Sequence, residues 1–356
     1  MSLQNVYGLS YGTLKVKRND LLKRKDYEEL MRLVSPVDFL SYLSNHGYDA
    51  DISANSSQYS GYNLVEAATN THLAKLNKLA LSLTPKEGRD LVASYLTKWD
   101  IMNIKTIMVA KNLNYKVEDT EMHLVSENMT TLGIFAGLLS HSDYKNLLSM
   151  GGIEDMISYL LRFGYGKALL SYLDDYRKSN SLSSLLLSLD LYYFSMLREK
   201  FRFYTGTEGP VYRFIKGTID IKNIITIMKF KEFASGDNVF NYLLQGGNLS
   251  DQILDDLIKS SSVEEVALKV KQFFDLTKSI EFYKTRGSLT GFEGELYRNL
   301  YWNFIEIFEM SPLSINNILA YLLRAEGEWK DVRNIFLSRY YKIDEETVRM
   351  MSVNIG

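Results

Sequence analysis

The chain has 356 residues, of which 46% are hydrophobic and 24% charged, so disorder over its whole length is excluded. Its 41 basic and 43 acidic side chains give a net charge of -2, which argues against a dedicated binder of nucleic acid or of anionic membranes. There is no cysteine, which excludes disulfides, thiolate metal sites and thiol nucleophiles.

The N-terminal residues show no sign of export. They read MSLQNVYGLSYG and lack the charged start and apolar core of a signal peptide. No apolar stretch approaches the ~18 residues that span a bilayer, and the absence of cysteine agrees with a reducing compartment. We therefore expect a cytoplasmic chain with no transmembrane segment.

Helix starts are the clearest local signals along the chain. Three of the four prolines follow a hydroxyl residue, at Ser35-Pro36, Thr84-Pro85 and Ser311-Pro312, as is typical of a first helical turn. Glu87 predicts a capping box with Thr84. Gly327 is predicted to end the helix that begins near Pro312. Alternating strand patterns are absent, so the sequence predicts an all-α fold.

A motif near the N-terminus recurs 117 residues later without a gap. The stretch DYEELMRLVSPVDFLSYLSNHGY begins at Asp26, and DYKNLLSMGGIEDMISYLLRFGY begins at Asp143. Helical periodicity would explain the shared apolar positions, but it does not explain identities at Asp, Gly and Tyr. A weaker third copy begins at Val263. The repetition therefore indicates homologous segments.

A second motif occurs three times, as DIMNIKTIM at 100–108, DIKNIITIM at 220–228 and EWKDVRNIF at 328–336. A loop match, Gly137-Leu-Leu-Ser140 with Gly247-Asn-Leu-Ser250, accompanies it. We infer three homologous helical domains, at 1–115, 116–232 and 233–356, which can close around a pseudo-threefold axis and leave a central opening. The polar positions that recur in the second motif are Asp100, Asn103, Asp220, Asn223, Glu328 and Asp331.

The recurring acids of the second motif allow two interpretations. They could face a shared opening as a ring of carboxylates. Alternatively, Asp100, Asp220 and Glu328 could place negative charge at the first turn of a helix. We prefer the structural interpretation for the whole motif, because Asp and Glu are common at helix starts.

No pattern in the sequence predicts catalysis. A P-loop and a dinucleotide-binding glycine motif are both missing. The four histidines have no pair at metal-ligating spacing. The acid pairs Asp174-Asp175 and Asp255-Asp256 resemble diphosphate-binding motifs of terpenoid synthases, but a basic residue stands where the second metal-binding acid is needed. We therefore expect no catalytic, cofactor-binding or metal residue.

Basic residues are concentrated near the N-terminus. The segment from residue 15 to residue 25 has six basic residues and one acid, Asp20. It is either an ordinary exposed helix or a docking face for an acidic protein surface or for membrane headgroups. Its basic residues are Lys15, Lys17, Arg18, Lys23, Arg24 and Lys25.

The order and spacing of several motifs along the chain resemble those of a known protein family. The Asp-Ile-x-Asn-Ile-x-x-Ile tandem at 100–107 and 220–227, with the Tyr-Leu-Leu-Arg-Ala-Glu-Gly-Glu run at 321–328, resembles the C subunits of archaeal-type and vacuolar-type rotary ATPases. It is similar also to the d subunit of the eukaryotic vacuolar ATPase. Tyr11-Gly-Thr-Leu-Lys15-Val-Lys17 resembles the family's opening helix, where two arginines usually stand in place of the lysines.

The resemblance implies a non-catalytic rotor subunit shaped as a funnel of three helical domains. Its partners would be the membrane proteolipid ring and the D- and F-type subunits of the central stalk, with the chain on the cytoplasmic face of the membrane. No cofactor, small-molecule ligand or nucleic acid is expected. A generic helical adaptor and an all-α diphosphate-binding enzyme remain alternatives. Candidate partner-interface residues are Tyr11, Lys15, Lys17, Arg18, Arg213 and Arg298.

Overall fold

The structure is a computed structural model that describes residues 6–125, 138–233 and 238–356. Every regular element within these ranges is a helix. The predicted all-α fold is therefore confirmed. None of the described helices combines the length and the apolar composition that crossing a bilayer requires.

The described part of the chain contains nineteen α-helices. The first are α1 (Gly8–Lys17), α2 (Arg24–Arg32), α3 (Pro36–Leu43), α4 (Asp49–Asn55), α5 (Gly61–Leu83), α6 (Lys86–Asn112) and α7 (Val117–Glu121). Next come α8 (His141–Ser149), α9 (Ile153–Leu160), α10 (Tyr165–Leu170), α11 (Leu173–Ser179), α12 (Ser183–Phe201) and α13 (Gly209–Phe233). The last are α14 (Asp251–Ile258), α15 (Val263–Val270), α16 (Thr277–Arg286), α17 (Thr290–Glu309), α18 (Ile315–Tyr341) and α19 (Glu345–Met351).

The order of helices repeats along the chain. Each copy of the second motif lies in the middle of a helix of 25 to 27 residues, and we call α6, α13 and α18 the motif helices. Each repeat begins with a short helix, and we call α2, α8 and α14 the docked helices. An eight-residue helix follows each of them, α3, α9 and α15 respectively. The sequence motifs therefore occupy equivalent places in the order of elements.

The backbone supports the gapless alignment of the first motif. Gly47 has a φ of 98° and the aligned Gly164 has a φ of 89°, values that residues other than glycine rarely adopt. The aligned acids also make the same bond. Asp26 accepts a hydrogen bond from the Lys23 N–H at 2.7 Å, and Asp143 accepts one from the Ser140 N–H at 2.8 Å.

The predicted helix starts are confirmed only in part. Ser35 caps α3 by accepting from the Asp38 N–H, with Pro36 at the first helical position. The capping box predicted at Thr84 is wrong, because its hydroxyl donates to the Ala80 carbonyl of the preceding helix. The start predicted at Ser311 is displaced, since the cap of α18 is Ser314.

The helix end predicted at Gly327 is wrong, because α18 continues through it to Tyr341. The glycine has a different use. A Cβ atom at this position would lie 3.3 Å from the side chain of Asn354, so its absence makes room for the C-terminal segment. A glycine inside a helix can thus mark a close approach as well as an end.

The chain divides into two compact units. The first comprises Met1–Leu21 and Ser35–Lys200, and the second comprises Leu22–Val34 and Phe201–Gly356. Within the second unit, the docked helix α2 from the N-terminal part of the chain packs on α18 near the C-terminus. The predicted domain boundaries at 115 and 232 stay a prediction.

An ion pair joins α2 to α19 inside the second unit. Both guanidinium NH groups of Arg349 donate to the Glu28 carboxylate, at 2.9 and 2.6 Å, and both side chains are about two-thirds buried. The Arg349 bond lowers the pKa of Glu28. Two parallel bonds make this the kind of pair that fixes orientation as well as adding energy.

We predict that Glu28 and Arg349 are energetically coupled. A double-mutant cycle with Glu28→Ala and Arg349→Ala, followed by chemical denaturation, should give a coupling free energy of about 1 kcal/mol. The more exposed pair Glu154 and Arg177, whose geometry is also bidentate, is the control and should give a smaller value. Equal coupling in the two cycles would contradict the claim that burial makes the Glu28–Arg349 pair the stronger of the two.

Candidate functional site: the buried contacts of the motif helices

The polar residues of the second motif are buried in the middle of the motif helices, and none has more than 3% of its surface exposed. The first-turn position expected for Asp100, Asp220 and Glu328 is therefore wrong, since each lies well inside its helix. The alternative of a carboxylate ring facing an opening is not what the described residues form either, because these side chains are enclosed by protein.

The asparagines of the first two copies each hold a stretch of backbone that follows the motif helix. The Asn103 amide donates to the Val125 carbonyl at 3.0 Å and accepts from the Val125 N–H at 2.9 Å. Asn223 makes the same two bonds with Leu244, at 2.9 and 2.8 Å. We call each such arrangement a backbone clamp.

The third copy has an aspartate at the clamp position. Asp331 accepts from the Val353 N–H at 2.7 Å and from the Asn354 N–H at 2.6 Å. Because a carboxylate has no donor, it binds two successive N–H groups instead of one residue's N–H and C=O. The clamp therefore survives the change of side chain, at the same distance along the chain as in the first copy.

The recurring acids bind the backbone just before the docked helices. Asp100 accepts from the Leu139 N–H at 3.1 Å, ahead of α8, and Asp220 accepts from the Leu249 N–H at 3.0 Å, ahead of α14. Glu328 accepts from the Leu22 N–H at 2.6 Å, ahead of α2. The loop match between residues 138–140 and 248–250 is thereby explained, while Gly137 lies outside the described residues.

These acids do complement the positive end of a helix, although it is another helix than the one that carries them. The opposite end of the docked helix receives a cation in two copies. Lys111 donates to the Leu148 carbonyl at 3.2 Å, and Lys231 donates to the Ile258 carbonyl at 2.5 Å. Each of α6 and α13 thus binds both ends of a docked helix with the sign of charge that the helix dipole favours.

Tyrosine hydroxyls complete the surroundings of the acid in the first copy. Tyr144 and Tyr165 both donate to the Asp100 carboxylate, each at 2.6 Å, and the Leu138 N–H adds a further bond. Tyr27 aligns with Tyr144 and is likewise buried, with Glu328 and Asp331 nearby. Burial raises the pKa of all three tyrosines, and the neighbouring carboxylates raise it further. Tyr144 and Tyr165 therefore act as donors, whereas the Tyr27 hydroxyl accepts from the Asn354 side-chain amide at 3.4 Å.

Burial dominates the titration of the motif acids. It raises the pKa of Asp100 to about 6 and that of Asp331 to about 6, although the hydrogen bonds they accept act in the opposite direction. Burial raises the pKa of Asp220 as well. The donors around these oxygens are N–H and O–H groups of the chain itself, which is the chemistry of a packing contact rather than of an open active site.

Glycine makes room for one of these acids. A Cβ atom on Gly247 would lie 2.0 Å from an Asp220 carboxylate oxygen and 3.3 Å from a methyl group of Ile219. Any larger residue would displace either the carboxylate or the loop that it binds. The Gly246-Gly247 turn, which the sequence marks only as a loop match, is thus part of the contact.

The candidate interface residues of α1 lie on or near the surface of the first unit. Lys15 and Lys17 are exposed, and Arg18 is partly exposed. The Lys15 ammonium lies 5.6 Å from the centre of the Tyr11 ring, and Lys17 pairs with Asp20 at 2.9 Å. The same helix exposes Leu9 and Val16, two turns apart. This end of the unit presents both charge and apolar surface.

The other two interface candidates differ from each other. Arg213 is exposed on α13. Arg298 is directed inward and donates to backbone carbonyls at the end of α19, including that of Ser352 at 2.8 Å. The hydrogen bonds of Arg298 are thus intramolecular, and its role in binding a partner stays a prediction.

The acid pairs considered for diphosphate binding lie beside basic residues on the surface. Asp174 is 3.6 Å from Arg177. Asp255 pairs with Lys259, and Asp256 pairs with Lys269 at 3.1 Å. Among the described residues, no group of His, Asp and Glu side chains is arranged to hold a metal ion.

Sequence reasoning missed Lys111 and Lys231, which bind the ends of the docked helices. They stand at the same offset as Asn103 and Asn223, eight residues further along. Both lysines lie three residues past the last motif position, Met108 or Met228, so the signal is present in the sequence just outside the motif.

Comparison with known proteins gives a consistent result. The sequence model of a family described as ATP synthase (C/AC39) subunit matches residues 11–351. The C subunit of the A-type ATP synthase of Thermoplasma volcanium is 34% identical over 346 residues, covering 97% of each chain. That of Thermoplasma acidophilum is 32% identical over 99% of each chain, and that of Haloferax volcanii is 25% identical over 94%.

We predict that Gly247→Ala destabilises the protein by about 2 kcal/mol, because the new methyl group collides with a buried carboxylate. Chemical denaturation of the purified chain measures this. Gly12→Ala is the matched control, since a Cβ atom there meets nothing within 4 Å, and it should be neutral or slightly stabilising. A neutral Gly247→Ala would contradict the packing described for Asp220.

A pH dependence follows from Asp331. Its carboxyl binds a proton more tightly in the folded chain, where the pKa is about 6, than in the unfolded chain, where it is about 3.9. Its contribution to stability therefore falls as the pH rises from about 4 to about 6. Asp331→Asn abolishes this titration and keeps a side chain that the other two copies use.

We expect the unfolding free energy of Asp331→Asn, measured relative to the unmodified chain, to increase by about 1 to 3 kcal/mol between about pH 4 and pH 6. Denaturant titrations across this range provide the measurement. Asp174→Asn, at an exposed carboxylate, is the control and should show no such trend. A pH-independent difference for Asp331→Asn would show that its pKa is not raised.

Proposed function

Since the chain belongs to the ATP synthase (C/AC39) subunit family of rotary ATPase components, we propose that it is a non-catalytic rotor part linking the membrane proteolipid ring to the central stalk. In this role it passes torque between ion flow at the ring and the nucleotide-processing part of the complex. The full-length family match carries the proposal, and the contacts of the motif helices support it.

A torque-bearing part has to resist shear between its helices. The backbone clamps and the acid contacts connect segments that are distant in sequence, through hydrogen bonds buried from water. Leaving such a group unpaired costs about 1 to 3 kcal/mol, and more when it is charged. Small displacements of a docked helix are therefore resisted without any change in the covalent chain.

The proposed architecture is a funnel of three helical domains, at 1–115, 116–232 and 233–356, around a pseudo-threefold axis. The order in which the motif helices contact the docked helices supports this architecture. The first motif helix holds the docked helix of the second repeat, and the second holds that of the third. The third, through Glu328, holds the segment before the docked helix of the first repeat. Such a cyclic order suits a closed arrangement with a central opening.

The proposed partners are the D- and F-type stalk subunits, whose tip would enter the opening, and the proteolipid ring. The chain would lie on the cytoplasmic face of the membrane. A pseudo-threefold socket cannot match a ring of different symmetry contact by contact. Polar and adaptable contacts therefore suit the ring side, and Lys15, Lys17 and Arg18 are the candidates.

We predict that reversing these three charges, as Lys15→Glu, Lys17→Glu and Arg18→Glu together, weakens binding to ring-containing membranes by about tenfold at low salt. Co-sedimentation of the purified chain with such membranes, stripped of their own rotor part, measures the effect. Adding salt should reduce the difference between the variant and the unmodified chain.

The control variant reverses Lys271, Lys278 and Lys284, which are exposed and lie in the second unit. It has the same net charge, so any loss common to both variants is non-specific. Unchanged ring binding of the α1 variant at every salt concentration would refute the proposed ring contact. The rotor assignment itself would fail if the tagged chain did not copurify with the other subunits of the synthase.

A further inference from the structure

The second unit contains a cavity of about 660 Å³, and one residue of its lining, Val353, also belongs to the backbone clamp of Asp331. Its walls are the C-terminal end of α13, the segment before α17 with that helix's first turns, the middle of α18, and residues at the C-terminal end of the chain. A concave volume of this size is typical of sites for small molecules and unlike the flat surfaces that bind proteins.

Three cations line this cavity. Lys229 comes from α13, and Lys330 and Arg333 come from α18. Two carboxylates, Glu232 and Glu293, also line it, and the cations have acidic neighbours of their own, since Lys330 lies 3.9 Å from Glu326. Glu232 accepts a hydrogen bond from Tyr283, and burial together with this bond raises the pKa of Tyr283 to about 12. Glu293 lies 3.8 Å from the Lys229 ammonium.

Aromatic side chains form much of the apolar lining, together with Leu289, Met351 and Val353. The Lys330 ammonium lies 4.1 Å from the centre of the Tyr297 ring, and the Arg333 guanidinium lies 5.6 Å from that of Trp329. Phe233 is largely exposed at the end of α13. Positive charge and flat aromatic surface are therefore side by side within one cavity.

The cavity coincides with the departures of the third motif from the other two. Where the third copy has Trp329, Lys330 and Arg333, the first copy has Ile, Met and Lys, and the second has Ile, Lys and Ile. The combination of an aromatic residue with two cations thus occurs in one copy of three. Asp331 of the same copy keeps the clamp, so the departures are not explained by the contacts shared among repeats.

We propose that this cavity binds a nucleotide. Arginine and lysine suit phosphate groups, because they offer charge-assisted hydrogen bonds to anionic oxygens. Aromatic faces suit a nucleobase, because flat rings stack in offset or edge-to-face arrangements. Each of the two carboxylates has more acceptor sites than its present partner occupies, so Glu232 and Glu293 can also accept from the hydroxyl and amino donors that a nucleotide carries and an inorganic phosphate lacks. The inference concerns this chain alone and is independent of the rotor assignment.

The test is isothermal titration of the purified full-length chain with ADP, and with pyrophosphate and adenosine as partial ligands. We expect saturable one-to-one binding of ADP, with each partial ligand weaker by about tenfold or more, since each lacks half of the contacts. Arg333→Gln and Lys330→Gln should each weaken ADP binding by about fivefold or more. Lys278→Gln, at an exposed lysine of the same unit that does not line the cavity, is the matched control and should leave it unchanged.

Arg333→Lys keeps the charge and should bind ADP more tightly than Arg333→Gln does, which separates loss of charge from loss of folding. Thermal unfolding of each variant checks that it is folded. The proposal is overturned if ADP shows no saturable binding up to about 5 mM, an affinity below the range of useful small-molecule sites. It is equally overturned if pyrophosphate binds as well as ADP, or if both folded glutamine variants bind ADP as the unmodified chain does.

Discussion

The position of each docked helix depends on a carboxylate buried in the middle of a motif helix. Removing a carboxylate from water costs several kcal/mol unless hydrogen-bond donors replace the lost hydration. Here the donors include backbone N–H groups at the start of a second helix, so the charge is fully satisfied only when that helix is in place. The interaction therefore acts as a specificity device, because alternative packings leave a buried acid without partners. The amide or carboxylate three residues further along adds a second fixed point on the same face of the motif helix.

The same constraint explains what the sequence revealed and what it did not. Periodicity and proline placement were enough for the all-α fold and for the start of α3 at Ser35. The gapless identities led to equivalent places in the order of helices, with Gly47 and Gly164 in the same unusual backbone conformation. The motif acids were recognised as recurrent but assigned to helix starts, because an Asp inside a helix gives no local sign of its tertiary partner. Gly327 misled for a related reason, since a glycine needed for close approach has the same sequence signal as one that ends a helix.

For a rotor part, these contacts offer a physical route from sequence to mechanical behaviour. Apolar packing alone is not directional and lets helices slide, whereas a charge seated on the end of a helix has one position of lowest energy. In our proposal the interior therefore supplies stiffness through Asp100, Asp220 and Glu328. In the same proposal, the outer surface, including Lys15 and Lys17, meets the partners of different symmetry. The side chains around the cavity show that the motif copies also differ, since the third copy has an aromatic residue and two cations at positions where the other two copies do not combine them.

The central claim is that the motif helices make the same buried contacts three times. Alanine replacement at the three equivalent positions of the backbone clamp tests this claim most directly. Asn103→Ala, Asn223→Ala and Asp331→Ala would each be measured by chemical denaturation beside Asn112→Ala, an exposed position on the same helix as Asn103. The account predicts that each of the three loses about 2 to 4 kcal/mol, because two buried backbone groups lose their partners, while the control changes by less than about 0.5 kcal/mol. A loss at only one of the three positions, or losses no larger than that of the control, would contradict it.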